Sequence, residues 1–161
     1  MFLKKQRMPI YVLLDNVRSL YNVGAMFRSS DDALVSKIFL TGITGKHPNK
    51  GIDKSALGAT DVVPWEYCPD GLQVIKKLKH DGVAIVALEL TSKSIHYYDM
   101  KYSFPVCLVV GNEIDGVSRA IIDECDAVVD IPMLGKAKSL NVATAYGIAL
   151  FEILRQYRNH A

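Results

Sequence analysis

The residues best suited to chemistry fall in three short segments, each following an apolar run. The first, Asp15–Ser29 (DNVRSLYNVGAMFRS), carries Asn22, Gly24 and Arg28. A glycine in what reads as a helical first turn costs about 1 kcal/mol against alanine, so Gly24 points to close approach of backbone or ligand. Arg28 offers a permanent cation with a planar fork suited to phosphate. A plainer account serves equally well locally, with Asn22 capping a helix and Arg28 pairing on the surface.

The second segment is Gly111–Gly116 (GNEIDG), entered directly from VCLVV. Glycines at both ends allow the backbone to approach a ligand. Between them, Glu113 can accept from hydroxyl or amine groups, or sit at a helix N-terminus. A tight strand-to-helix turn is the simpler alternative. The third is Ile131–Val142 (IPMLGKAKSLNV), where Ser139 and Asn141 precede a long apolar stretch. A helix cap is expected at that place in any protein. Gly135-Lys136-Ala137-Lys138 lacks the second glycine of a phosphate-binding P-loop, and no GxGxxG occurs.

These segments need elements to position them. Ile10–Leu14, Lys37–Leu40, Val83–Leu88, Val106–Val110 and Ala127–Ile131 read as strands, with a short one at Val62–Trp65. Helices are expected over Asn22–Ala33 with Asn22 as its N-cap, Gly71–His80, Arg119–Glu124 and Leu140–Tyr157, with a helical turn at Asp53–Leu57. The strands are uniformly apolar and alternate with helices, the pattern of a mostly parallel sheet covered on both faces. One α/β domain over residues 1–161 is the expectation. Such sheets bind ligands outside the carboxyl ends of their strands, where all three segments lie.

Composition bounds the function. The chain has 161 residues, half of them hydrophobic and 22% charged, which excludes disorder and collagen-like repeats. A net charge of +2 is too small to mark a nucleic-acid binder by bulk charge; only clustering could do so. Three cysteines without a CxxC pair fit a reducing compartment, and four scattered histidines give no metal-ligand spacing, so no metal is expected. No run approaches about 18 apolar residues, and MFLKKQRM lacks an apolar signal core, so neither a membrane span nor a secretory signal is expected. A cytoplasmic location follows as the default expectation.

Taken together, the order is distinctive: Asn-x-Gly-x-x-x-Arg-Ser (Asn22, Gly24, Arg28, Ser29), then Gly-x-Glu-x-x-Gly (Gly111, Glu113, Gly116), then Ile131 to Val142. This chain resembles the SpoU (TrmH-like) family of RNA ribose 2′-O-methyltransferases, a branch of the SPOUT superfamily, over essentially its whole length. The resemblance implies a C-terminal deep trefoil knot, a homodimer, and S-adenosylmethionine (AdoMet) as cofactor. By motif position it implies an adenosine pocket lined by Leu88, Gly111, Ile131, Ser139 and Leu140, with Met133 packed nearby. It implies a methyl transfer to a ribose 2′-oxygen in which Arg28 is the key residue. A guanidinium is effectively always protonated, so anchoring a phosphate and stabilising charge on the oxygen suits it better than acting as a base. Asn22 would orient Arg28 or the ribose. Glu113 would fix the second loop and meet Arg28 of a partner copy, and Ser139 and Asn141 would bond the ribose or the cofactor. Many relatives read SLNVS where this chain has Ala143, which removes one hydroxyl.

RNA, with tRNA favoured over ribosomal RNA, is the implied partner. Basic residues stand ready at Lys4, Lys5 and Arg7, at Lys46, His47 and Lys50, at Lys136 and Lys138, and at Arg155 and Arg158. Lys76, Lys77 and Lys79 read as a solvated helix face. Trp65 and Tyr67 are candidates for base stacking, although a lone tryptophan more often packs. A ribosomal RNA methyltransferase, a catalytically idle RNA-binding relative and a flavodoxin-type nucleotide enzyme are the competing readings. The last would need a phosphate loop after Leu14, where only Gly24 is available.

Overall fold

The structure, a computed structural model, describes residues 5–160, so Lys4 lies outside the described residues. Seven strands are found there: β1 (Met8–Asp15), β2 (Val35–Thr41), β3 (Trp65–Cys68), β4 (Ala84–Leu88), β5 (Ile95–His96), β6 (Val106–Val110) and β7 (Ala127–Asp130). They form one sheet in the order β3-β2-β1-β6-β4-β7-β5, and every pairing is parallel. Five helices accompany it: α1 (Leu20–Asp32), α2 (Lys50–Ala56), α3 (Gly71–His80), α4 (Arg119–Glu124) and α5 (Val142–His160).

The apolar strands explain the layering. Successive side chains alternate across a strand, and here both faces are covered. Val12, Leu14, Leu108 and Val110 join the core under α1 and α5, while Leu13, Cys107 and Val109 join the one under α3 and α4. Burying β6 completely on both sides requires an unbroken apolar run, and VCLVV supplies it.

Helix α1 is held at two points. A Cβ at Gly24 would overlap the Ile52 carbonyl and the Ser55 hydroxyl of α2, so the glycine serves helix–helix contact rather than a ligand. At the other side, Ser30 Oγ donates to Met26 O at 2.6 Å and lies 2.6 Å from the buried Tyr146 hydroxyl of α5. With its single proton committed, Ser30 must accept from Tyr146.

Three expectations need correction. The N-cap of α1 is Ser19, whose hydroxyl accepts from Asn22 N, so Asn22 lies inside the first turn with its side chain buried. The third strand starts at Trp65 rather than Val62, because Pro64 has no N–H to donate and only its carbonyl joins the sheet, accepting from Ile38 N. Helix α5 begins at Val142, two residues later than expected, because Asn141 caps it: its Oδ1 accepts from Ala143 N and Thr144 N at 2.9 and 3.2 Å. The two-residue β5 carries too little pattern to be seen in sequence.

Candidate active site

The chain runs outward from β1 to β2 and β3, then returns to lay β6, β4, β7 and β5 on the other side. The loops after β1 and β6 lie side by side at the carboxyl edge of this switch point, where sheets of this kind bind ligands. A cleft of about 460 Å³ lies beside it, built from the loops after β4, β6 and β7. All six residues expected around the adenosine line it: Leu88, Gly111, Ile131, Met133, Ser139 and Leu140.

Its walls are rigid for identifiable reasons. The second loop closes on itself through Asn112 N to Gly116 O (3.1 Å) and Gly116 N to Asn112 O (2.9 Å). Asn112 Oδ1 accepts from Ile114 N and Asp115 N, while Nδ2 reaches Asn16 O at 2.9 Å. From β4, Glu89 accepts from Val117 N at 2.9 Å and lies against Gly116, whose φ of 70° suits glycine. A Cβ at Gly111 would overlap the Gly116 carbonyl. Sequence reasoning missed both Asn112 and Glu89. The available signal was a polar side chain within two residues of the end of a buried strand.

At the mouth, the three segments meet. Glu113 accepts from Arg18 N (2.9 Å), Ser19 N (3.0 Å) and Asn22 Nδ2 (3.2 Å), which seats a carboxylate at the N-terminus of α1. Asn22 Oδ1 accepts from Asn141 Nδ2 at 3.1 Å, and Asn141 in turn caps α5. Both amide orientations follow from the ends, since a carboxylate only accepts and a helix N-terminus only donates. Burial pushes the Glu113 carboxyl up, but the backbone N–H groups of Ser19 and Arg18 and the Asn22 amide outweigh it, leaving its pKa lowered. An anion so satisfied is a poor proton acceptor at neutral pH; it is an anchor.

Arg28 is elsewhere. It lies six residues beyond Asn22, about 9 Å along the helix and on a different face. It is exposed, does not line the cleft, and has no carboxylate partner among the described residues. Asn22 therefore does not orient Arg28 within one chain. Trp65 is used in packing, edge-on to Phe27.

Charge inside the cleft is uneven. Its lining carries Glu89, Glu113 and Asp130 against Lys138 alone. Asp130 is buried and held by Ser94 Oγ and by His96 Nδ1 at 2.7 Å. Burial raises its pKa, and the Ser94 and His96 contacts lower it further than burial lifts it. Apolar walls and surplus carboxylates suit an aromatic ligand that carries positive charge. Among the described residues there is no cluster of three or more His, Cys, Asp or Glu able to hold a metal, and no helix long and apolar enough to cross a membrane.

The family model of the SpoU rRNA Methylase family matches residues 9–151. The chain belongs to that family. Among SpoU relatives, a tRNA (guanosine(18)-2'-O)-methyltransferase of Aquifex aeolicus is 36% identical over 156 residues, covering 96% of this chain and 72% of its own length. A 23S rRNA (guanosine-2'-O-)-methyltransferase of Vibrio parahaemolyticus is 34% identical, covering 96% of this chain and 62% of its own length. The crystal structure of an AdoMet-bound rRNA methyltransferase from Sinorhizobium meliloti superposes with a TM-score of 0.86 at 35% identity, over 94% of this chain and 57% of that one. This SpoU chain thus spans about three-fifths of the ribosomal RNA enzymes it matches.

Proposed function

We propose that this SpoU chain is an AdoMet-dependent RNA methyltransferase acting on a ribose 2′-hydroxyl. The observation that carries the reading is the run Glu113–Asn22–Asn141, which joins all three motif segments by hydrogen bonds at the mouth of the cleft. The fit of the cofactor rests on the cleft itself. Leu88, Ile131, Met133 and Leu140 offer apolar surface, Gly111 keeps its backbone close, and the excess of carboxylates favours a ligand of net positive charge. When bound, AdoMet supplies an electrophilic methyl group on a sulfonium.

The chain's own residues have the remaining tasks. Ser139 lines the cleft beside Asn141, whose amide leads back through Asn22 to Glu113. That rigid edge positions a ribose without waiting for side chains to reorganise. Arg28, exposed and without a carboxylate partner among the described residues, anchors a phosphate through its planar fork and stabilises charge developing on the 2′-oxygen. Because it does not reach its own cleft, Arg28 serves the cleft of a second copy, and the active form is a homodimer. The exposure of Phe151 and Ile148 on α5, 45% and 36%, supports such a contact. The deep trefoil knot, a single catalytic domain over residues 1–161 and a cytoplasmic location belong to the same reading. tRNA is the preferred substrate, supported by the Aquifex relative; ribosomal RNA is the alternative, supported by the Vibrio one.

Calorimetric titration with AdoMet and transfer of tritiated methyl groups into bulk tRNA test the proposal. Binding with 2′-O-methylated nucleoside in the digest is the expected result. Absence of AdoMet binding, or label on a base, would refute it.

A further inference from the structure

The charge of the cleft creates a difficulty for a polyanionic substrate. Three acidic residues and one lysine line the cleft, a balance that disfavours phosphate. Something adjacent must hold the RNA strand. The same carboxyl edge continues past β1 to β2 and β3, and its loops are tied into one rigid surface. Glu113 holds Arg18 N, Asn16 Oδ1 accepts from Ile43 N at 3.0 Å, and Tyr67 Oη donates to Gly42 O at 2.7 Å. Position by position, these bonds lead from the cleft to the edge strand, three interstrand spacings or about 14 Å away.

That surface carries an uncommon set of groups. Tyr67 is exposed, and its hydroxyl donates to Gly42 O, which favours one placement of the ring. Lys46 Nζ sits 4.4 Å from the centroid of that ring. Lys46 and Arg18 are exposed, and neither pairs with a carboxylate among the described residues. Acids on this side are engaged: Glu113 accepts from Arg18 N, Ser19 N and Asn22 Nδ2, Asp70 caps α3 through Leu72 N and Gln73 N, Asp53 meets His47, and Glu66 meets Lys37. An exposed cation–π contact is weak enough for a lysine to exchange for a phosphate. An exposed ring beside cations that have no carboxylate partner among the described residues matches single-stranded nucleic acid, in which bases stack on aromatic faces and phosphates meet basic side chains.

We propose that the edge formed by Arg18, Lys46 and Tyr67 binds the single-stranded RNA flanking the methylated nucleotide, with a base stacked on Tyr67 and a phosphate held by Lys46. This rests on the RNA methyltransferase reading and adds a subsite outside the cofactor cleft. It also assigns the target to an unpaired stretch such as a loop, because a base must leave its own stack to reach the ring.

The test uses a short fluorescein-labelled single-stranded RNA of mixed sequence, followed by anisotropy, with AdoMet titrated separately by calorimetry. Tyr67→Ala is expected to raise the RNA Kd about tenfold. Tyr67→Phe keeps the ring and is expected to change it by less than about twofold, while AdoMet affinity stays unchanged in both. Lys46→Ala should weaken binding and flatten the slope of log K against log salt by about 0.7. Equal losses in Tyr67→Phe and Tyr67→Ala would overturn the proposal, since the tyrosine would then act only as a strut for Gly42. Unchanged RNA affinity in Tyr67→Ala and Lys46→Ala would also overturn it. If the unaltered protein binds AdoMet but no RNA, the methyltransferase reading fails as well; if it binds RNA and the variants match it, this subsite alone fails.

Discussion

Glu113→Gln tests the architecture of the site most directly. The carboxylate takes two backbone N–H groups and the Asn22 amide, and it faces the positive end of α1. A glutamine of the same length keeps one acceptor oxygen and loses the charge. Hydrogen bonds to ions contribute about 1.5–3 kcal/mol each when buried. Glu113 is exposed, however, so water takes up the released donors and screens the charge, which brings the expected cost down to about 1–2 kcal/mol in total. Urea denaturation at pH 7 measures it. The pH dependence gives a second check. The folded-state pKa of Glu113 is lowered, so its contribution is complete above the unfolded-state value and disappears as pH falls through the folded one. The gap between the two proteins should hold from pH 7 to about 5 and close on further acidification. A gap that persists at low pH, or is absent at neutral pH, would refute the assignment of Glu113 as an ionised anchor.

Arg28→Ala should abolish methyl transfer with AdoMet affinity nearly intact, and Arg28→Lys should recover little, since an ammonium lacks the planar fork; parallel calorimetry and tritium transfer separate the two effects. Gly111→Ala places a Cβ against the Gly116 carbonyl, so the loop must shift, with an expected stability cost of about 1–3 kcal/mol and weaker AdoMet binding by calorimetry. Asp15 is buried at the end of β1; desolvation raises its pKa, with Asp70 adding to the effect and the Thr41 hydrogen bond opposing it. A carboxyl raised in this way favours folding when protonated and loses that advantage as pH climbs through its folded value. Asp15→Asn should therefore raise Tm at pH 7, and the gain should shrink on acidification.

The layered sheet was legible because β6 and the stretch Ile10–Leu14 of β1 are apolar without interruption, a pattern typical of a strand covered on both faces. The cleft was legible because its lining comes from loops leaving such strands. What escaped were choices between near-equivalent residues. Ser19 and Asn22 are both good caps, and only the packing of α1 decides that Ser19 takes the role while Asn22 turns inward. Glu89 and Asn112 carry no local periodicity; their partners, Val117 and Asn16, are 28 and 96 positions away in the chain. The separation of Arg28 from its own cleft follows from helical phase, because a step of six residues from Asn22 ends on another face.

The place of β6 beside β1 has a consequence for the molecule's birth. Ile10 pairs with Val106, so the central seam of the sheet joins segments 96 positions apart in the chain. When Cys68 has left the ribosome, β1, β2 and β3 can already associate, but the flank of β1 that pairs with β6 is left with unmet amide and carbonyl groups. Such a flank invites other nascent chains, and closing a loop of that span slows the arrival of the correct partner. Between the emergence of Cys68 and that of Val110, β1 stands at the edge of a three-stranded sheet that its own later segment must cover.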